Sequence, residues 1–218
     1  MDYINKNKVL VLGAGQAAMQ VIDILLNDPG CQVVGCLDDN PNLQGKELFG
    51  VPVLGKMELL EKLWAESFFN SAIVGVGINL PVRQALYDRL VSLGVPLVNA
   101  IDPTVRINRQ AVLGKGIVLC SFVHLGVCAQ IEDNCFIGAH TSIDHHCHLG
   151  KTVFMGPGCL LSGTVQVGER SLFGDGVMVQ LGLKIGKGCR IASGAIVVKD
   201  VPDHHSLKHR LNMELKEI

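Results

Sequence analysis

A six-residue repeat runs without insertion through the second half of the sequence. Starting at Ile107 and stepping by six, the chain reads Leu113, Leu119, Leu125, Ile131, Ile137, Ile143, Leu149, Met155, Leu161, Val167, Phe173, Val179, Ile185, Ile191 and Val197, all apolar. Glycine often follows, as at Gly114, Gly126, Gly138, Gly150, Gly168 and Gly186. Four residues after the repeated position the side chain is mostly small or β-branched, as at Ala111, Val123, Thr141, Val153, Val165 and Ala195. A sandwich or a propeller requires no strict six-residue register. A left-handed parallel β-helix does. It is a triangular prism in which three hexapeptides make one coil and the repeated residues stack inward. A single coil is too small to bury its own core, so stacking closes it.

This register places Cys135, Cys147, Cys159 and Cys189 at the small inward position, where cysteine serves as a compact hydrophobe. Cys120 and Cys128 lie elsewhere in the repeat, and Cys31 and Cys36 flank a predicted strand. The start, "MDYINKNKVLVLGAG", lacks the apolar core and cleavage site of a signal peptide, so reduced thiols in a cytoplasm are expected. No window approaches 18 uninterrupted apolar residues, which argues against a transmembrane helix. A net charge of −1 with no basic run argues against a nucleic-acid partner.

The first half is of another kind. "KVLVLGAGQAAMQVIDILL" reads as strand, glycine turn and helix, followed by a strand "CQVVGCLDDN" that ends in acids. Then come a helical "KMELLEKLWAES", a strand "SAIVGVG" and a helix "PVRQALYDRLVSLG". Strands alternating with helices predict a Rossmann-like α/β domain with a parallel sheet. Gly13 and Gly15 permit a tight turn at a helix N-terminus, where free N–H groups favour an anion. The spacing Gly13-x-Gly15-x-x-Ala18, with Asp38 beyond, fits a dinucleotide fingerprint. A nicotinamide or flavin cofactor and a turn that merely packs helix on sheet both remain open. The segment has the length of one mononucleotide-binding half. The predicted division is a nucleotide-binding domain over residues 1–102, a β-helix over 103–202, and a short amphipathic helical tail over 203–218.

The stretch "TSIDHHCHLG" (residues 141–150) invites a metal site, but the register separates its donors. Ile143 and Cys147 point inward, whereas Asp144, His145, His146 and His148 point outward. Zinc needs convergent ligands, so no metal is expected here. Outward residues recur every 18 positions and form columns. Phe136, Phe154, Leu172 and Arg190 make one; His124, Ser142, Leu160, Met178 and Ile196 a second; Gln130, His148, Gln166 and Lys184 a polar third. Two partly apolar faces suit a three-fold ring, which predicts a homotrimer. His145 stacks over Val127 and under Gly163, with open space for a ligand above it. That makes it the candidate general base.

Taken together, "VLGAGQAAMQVIDIL", "GCLDDNP", "GVPVLG", "IVGVG", "IDPTV", "IDHHCHLG", "LLSGTVQVG" and "IASGAIVVKDVP" resemble the bacterial sugar acetyltransferases of the sialic acid O-acetyltransferase (NeuD) family. That family includes the N-acetyltransferase of a UDP-4-amino sugar in bacillosamine synthesis. The resemblance implies an N-terminal domain for a nucleotide sugar and a trimeric β-helix that binds acetyl-CoA as co-substrate between subunits. It puts the general base on His145, with His146 or Asp144 as orienting partner. It puts acetyl-CoA contacts on Gly163, Phe154, Asp175 and Ser193. Nucleotide-sugar contacts fall on Gly13, Gly15, Gln16, Asp38, Asp39 and Gly77. The sequence departs from the family in four places. Gly15-Gln16-Ala17-Ala18 replaces Gly-Gly-His-Gly, His146 replaces an acid, Phe154 replaces a second histidine, and the terminal Gly-x-Pro-Ala segment is absent. The implied activity is N-acetylation of a nucleotide-linked amino sugar in surface-glycan biosynthesis. O-acetylation of a sialic acid-like sugar, a non-catalytic trimeric nucleotide-sugar-binding protein and an NAD-dependent oxidoreductase are the competing readings.

Overall fold

The computed structural model describes residues 6–208. The N-terminal domain runs β1 (Asn7–Leu12), α1 (Gln16–Leu26), β2 (Cys31–Leu37), β3 (Glu47–Leu48), β4 (Val51–Gly55), α2 (Leu60–Ala65), β5 (Ser71–Val74) and α3 (Leu80–Ser92). The sheet order is β3-β4-β2-β1-β5, and every pairing is parallel except β3 with β4. β1 and β5 are fully buried beyond Lys8, which explains their unbroken apolar runs. Helix α1 turns Ala18, Val21, Ile22 and Leu25 onto the sheet at helical spacing. Helix α3 starts where the Asn79 side chain accepts a hydrogen bond from Val82 N, with Pro81 in its first turn. Its buried residues, Leu80, Arg83, Leu86, Tyr87 and Leu90, share one side.

From Ala100 onward the chain winds a left-handed parallel β-helix of two-residue strands. Three sheets form its faces, with six, five and seven strands. Pairing advances by one coil of 18 residues, as in His124↔Ser142↔Leu160↔Met178. The repeated apolar residue is the second of each strand, and from Leu119 onward all are buried; Ile107, in an early coil, is 38 % exposed. Non-glycine residues at the turns, among them Cys128, Asn134, His140, His146, Thr152 and Thr164, hold φ near +60°. These are the sharp corners that let two-residue strands close a triangle.

The inward cysteines do more than fill space. Cys135 Sγ donates to Gly150 O at 3.2 Å, Cys147 Sγ to Ser162 O at 3.2 Å, and Cys159 Sγ to Gly174 O at 3.1 Å. Thr141 and Ser171 do the same with their hydroxyls, to Gly156 O and Gly186 O. Each position is thus a small side chain that donates to a carbonyl of the next coil. Burial pushes the Cys135 thiol up to about 12 and those of Cys147 and Cys159 to about 11, so they stay protonated.

Two expectations change. The repeat makes the column Phe136, Phe154, Leu172 one of two apolar faces open to a neighbouring copy, but its residues Phe136 and Phe154 pack against the N-terminal domain. Phe136 is only 4 % exposed and joins the core cluster of α1, β1 and β5. Its apolar character serves domain docking within one chain. The other apolar column stays open, with Leu160, Met178 and Ile196 exposed. The prism also continues beyond residue 202. Ser206–Leu207 pairs with Arg190–Ile191, so the tail begins as a further strand and not as a helix. The intervening coil is shortened, with Ile185 bridged to Val201. The rest of the expected helix, residues 209–218, lies outside the described residues.

Candidate active site

The chain leaves β1 at Gly13 and β5 at Gly75, on either side of the point where strand order reverses. Open α/β sheets bind ligands in the crevice at such a point. A cavity of about 830 Å³ lies there. Its sheet-side wall is Gly13, Gly15, Gln16, Ala17, Asp38 and Gly75–Asn79; its far wall is the prism, through Asp102, Cys120, Ser121, Phe136, Gly138, Ala139, Phe154 and Pro157. Among the described residues no lysine or arginine lines it. The N-terminus of α1 opens into it with Gly15 as cap and no capping side chain. The unpaired N–H groups of the first turn are therefore available to a phosphate. A Cβ at Gly13 would sit 3.3 Å from Gly75 C, at φ +115°, so this approach of two loops requires glycine.

Asp38 sits at the cavity edge with both oxygens engaged: Oδ2 accepts from Ala14 N at 2.7 Å and Oδ1 from Asn40 N at 2.8 Å. It ties the glycine turn to the end of β2. Asp39 stands apart from the cavity lining, and its Oδ1 accepts from Met57 N at 2.9 Å. Gly13, Gly15, Gln16, Asp38 and Gly77 are thus brought together, and Asp39 is not. Phe154 also lines this cavity, stacked on Phe136 with centroids 5.4 Å apart. The resemblance puts this position on acetyl-CoA; in space Phe154 is part of the wall of the cavity between the two domains. Cys120, on the same wall, donates to Gln20 Oε1 at 3.4 Å, and burial holds its thiol up at about 11.

The histidine cluster lies elsewhere. The prism residues of the cavity, Gly138, Ala139 and Pro157, precede the strands Ser142–Ile143 and Leu160–Leu161 of one face; His145 follows the first of these strands and Gly163 the second. That face of the prism separates His145 from the cavity. His145 is exposed, and the Nε2 edge of its imidazole lies over Gly163: a Cβ there would fall 2.4 Å from both Cε1 and Nε2. The space above His145 is therefore filled by its own ring. Glycine at 163 makes room for the base. His145 Nδ1 meets His146 Nδ1 at 3.2 Å, the rings edge to face at 80°. One proton lies between the two nitrogens. When it sits on His145, the His145 Nε2 lone pair is free to accept a proton. Asp144 does not reach the ring; its Oδ1 accepts from His145 N at 2.6 Å and fixes the backbone instead. His148 pairs with Glu132 at 2.9 Å on the polar face.

Asp175 and Ser193 occupy successive coils of the edge that carries Pro157. Ser193 Oγ accepts from Asp175 N at 3.1 Å. Asp133 and Asp203 accept from Lys115 N and Lys187 N in the same manner. Asp175 stands one coil above Pro157, which has no N–H to offer, and its Oδ1 lies against Gly156, where a Cβ would fall 2.3 Å from it. Among the described residues no group of three or more His, Cys, Asp or Glu is placed to hold a metal ion. No helix among them is long and apolar enough to cross a membrane. The prism residues Ser121, Phe136 and Ala139 were missed in the sequence because the side of the prism that meets the other domain is not encoded in the six-residue period.

Residues 8–90 match the family described as the PglD N-terminal domain. Among solved structures, the GDP-perosamine N-acetyltransferase of Caulobacter crescentus, in complex with CoA and GDP-perosamine, is 31 % identical over 92 % of each chain, with a TM-score of 0.86. The acetyltransferase domain of PglB from Neisseria gonorrhoeae FA1090, in complex with acetyl coenzyme A, is 28 % identical over 92 % of this chain and 95 % of that one, with a TM-score of 0.85. WeeI from Acinetobacter baumannii AYE, at 21 % identity and a TM-score of 0.69, shares the fold. No curated protein matches the sequence. With the turn chemistry, the hexapeptide prism and these likenesses in agreement along nearly its whole length, the chain belongs to the bacterial hexapeptide acetyltransferases of the PglD/NeuD type.

Proposed function

We propose that the protein transfers the acetyl group of acetyl-CoA to the amino group of a nucleoside-diphosphate-linked sugar. The observation that carries this reading is the cavity at the switch point, which joins an uncapped helix N-terminus to an aromatic prism wall. Backbone N–H groups suit the diphosphate, and the Phe136–Phe154 wall suits the flat or apolar faces of the nucleotide sugar. The Caulobacter enzyme, which holds CoA and GDP-perosamine, supports the same class of substrate here.

In this reading the active protein is a trimer. The exposed apolar face with Leu160, Met178 and Ile196 packs against the neighbouring copy. His145 of one copy then meets the cavity of the next, because within one chain a full prism face keeps them apart. Acetyl-CoA lies between copies near Gly163. His145 Nε2 takes a proton from the sugar ammonium or from the nitrogen as it attacks. The nitrogen bonds to the thioester carbonyl carbon, the C–S bond breaks, and the CoA sulfur leaves as the thiol after taking a proton. His146 holds the proton of His145 Nδ1 and so keeps Nε2 open. A neutral imidazole supports the developing imidazolium less than a carboxylate would, so His146 acts chiefly by orientation. The setting is cytoplasmic, which agrees with buried, protonated thiols.

The test is turnover. Purified protein with acetyl-CoA and a panel of UDP- and GDP-linked amino sugars should release free CoA thiol with at least one, and mass spectrometry should show one added acetyl group on the sugar nitrogen. Binding of CoA and of nucleotide sugars without release of thiol from any panel member would overturn the enzymatic reading.

A further inference from the structure

Arg83 is fully buried, and among the described residues no carboxylate hydrogen-bonds to it. Its guanidinium has five N–H donors, and five main-chain carbonyls receive them. Nε donates to Asn134 O at 2.8 Å. Nη1 donates to Val74 O at 3.0 Å and to Val76 O at 2.6 Å. Nη2 reaches Gly116 O at 3.4 Å and Cys135 O at 3.3 Å. The carbonyls come from three places: the end of β5 and two corners of the prism in successive coils. The cation also lies over the face of Phe136, 5.6 Å from the ring centroid. Burial draws the group down to about 10, which leaves it charged at neutral pH.

These partners adjoin the cavity on both sides. Val74 and Val76 flank the start of the Gly75–Asn79 segment, one wall of the cavity. Phe136, under the cation and next to Cys135, is the other wall. Between them, a Cβ on Gly77 would stand 3.5 Å from Phe154 and 3.1 Å from Ala17 Cβ, so the two walls meet with little slack. A buried charge satisfied only by carbonyls is a costly way to join two domains, and apolar packing alone could hold them together. The planar fork instead fixes direction and distance to five points at once, which lysine's three tetrahedral donors cannot do.

We propose that Arg83 is a positioning residue that sets the separation of the two cavity walls, and thereby the affinity for the nucleotide sugar. This rests on the cavity being the nucleotide-sugar site. Arg83 is not among the residues lining the cavity and does not hydrogen-bond to His145, so its influence runs through the Gly75–Asn79 segment.

The experiment compares the wild type with Arg83→Lys and Arg83→Met in the full chain. Amide hydrogen exchange is followed at residues 75–79 and 134–136, and steady-state kinetics at saturating concentrations of each substrate in turn. Exchange at 75–79 should rise in both variants. The KM for the amino-sugar nucleotide should rise about 10-fold or more, while the KM for acetyl-CoA stays within about twofold and kcat within about threefold. Unchanged exchange at 75–79, an equal rise in both KM values, or a fall in kcat alone would overturn the proposal. So would failure of both variants to fold, which would make Arg83 a requirement of folding and not of position. If the wild type turns over no amino-sugar nucleotide, the functional reading fails by itself, and the exchange comparison still decides whether Arg83 sets the wall.

Discussion

At the scale of single residues, the proposed chemistry rests on three neighbours of His145. Gly163 leaves space for its ring, His146 Nδ1 shares a hydrogen bond with its Nδ1, and Asp144 accepts from its backbone N–H. His145→Ala should lower turnover by roughly 10²–10⁴-fold and leave CoA affinity nearly intact, the loss expected for a general base. His146→Ala should fall between that and His148→Ala, which should be close to silent because His148 faces Glu132 on the polar side. Stopped-flow single turnovers would rank the three; a damaging His148→Ala beside a fully active His145→Ala would refute the assignment. Gly163→Ala is a sharper probe. Its backbone is not in the left-handed region, but the added methyl would fall 2.4 Å from the imidazole. Turnover should collapse while the thermal midpoint moves by only a few degrees, a separation read by running both assays on one preparation. The six-residue register was enough to place His145 outward beneath Gly163. It could not show that the ring lies on the glycine, because a repeat specifies which way Cβ points and not the rotamer beyond it.

At the scale of elements, helix α3 locks the nucleotide domain to one corner of the prism. Tyr87 Oη donates to Asp133 Oδ2 at 2.7 Å, and Lys115 N donates to Asp133 Oδ1 at 2.8 Å. Partial burial alone would raise the Asp133 carboxyl. The Lys115 N–H, the Tyr87 hydroxyl and the Lys151 ammonium outweigh it and hold the group below its ordinary value. A carboxyl depressed in the fold adds stability above its unfolded pKa, and that stability is lost as pH falls through the folded value. Acid should therefore loosen α3 from the prism. Tyr87→Phe should cost about 1 kcal/mol at neutral pH, the usual worth of such a bond. The cost should shrink as pH falls through the depressed Asp133 value, as the carboxyl is protonated in both proteins. Denaturant melts at neutral pH and across the acid range below the ordinary carboxylate value check this, and a cost that never changes with pH would contradict it. Most helices and strands were legible because helical spacing, unbroken apolar runs and the period of six mark them; the short β3–β4 pair carries none of these signals and was not. The docking was not. The column Phe136–Phe154 is apolar whether it meets another copy or its own N-terminal domain, and hydrophobicity does not name the partner.

At the scale of the whole molecule, the proposed arrangement is a ring in which each copy lends its base to the next; the open apolar face and the prism face between His145 and the cavity support it. Met178→Glu, at the centre of that face and 44 % exposed in the single chain, should break the ring. Light scattering should then fall from about three chain masses to one, because a desolvated unpaired carboxylate is costly at an interface. Mixed assembly tests the arrangement most directly. Gly15→Trp fills the cavity mouth at an extended backbone with nothing within 4 Å of its Cβ, so the fold should tolerate it. His145→Ala removes the base. Each variant alone should be nearly inactive. Co-expressed and randomly assembled in equal amounts, they should recover about a quarter of wild-type turnover, since one junction in four would join an intact cavity to an intact histidine. No recovery in verified mixed trimers would mean that cavity and base serve each other within one chain, and the proposed site between copies would be wrong.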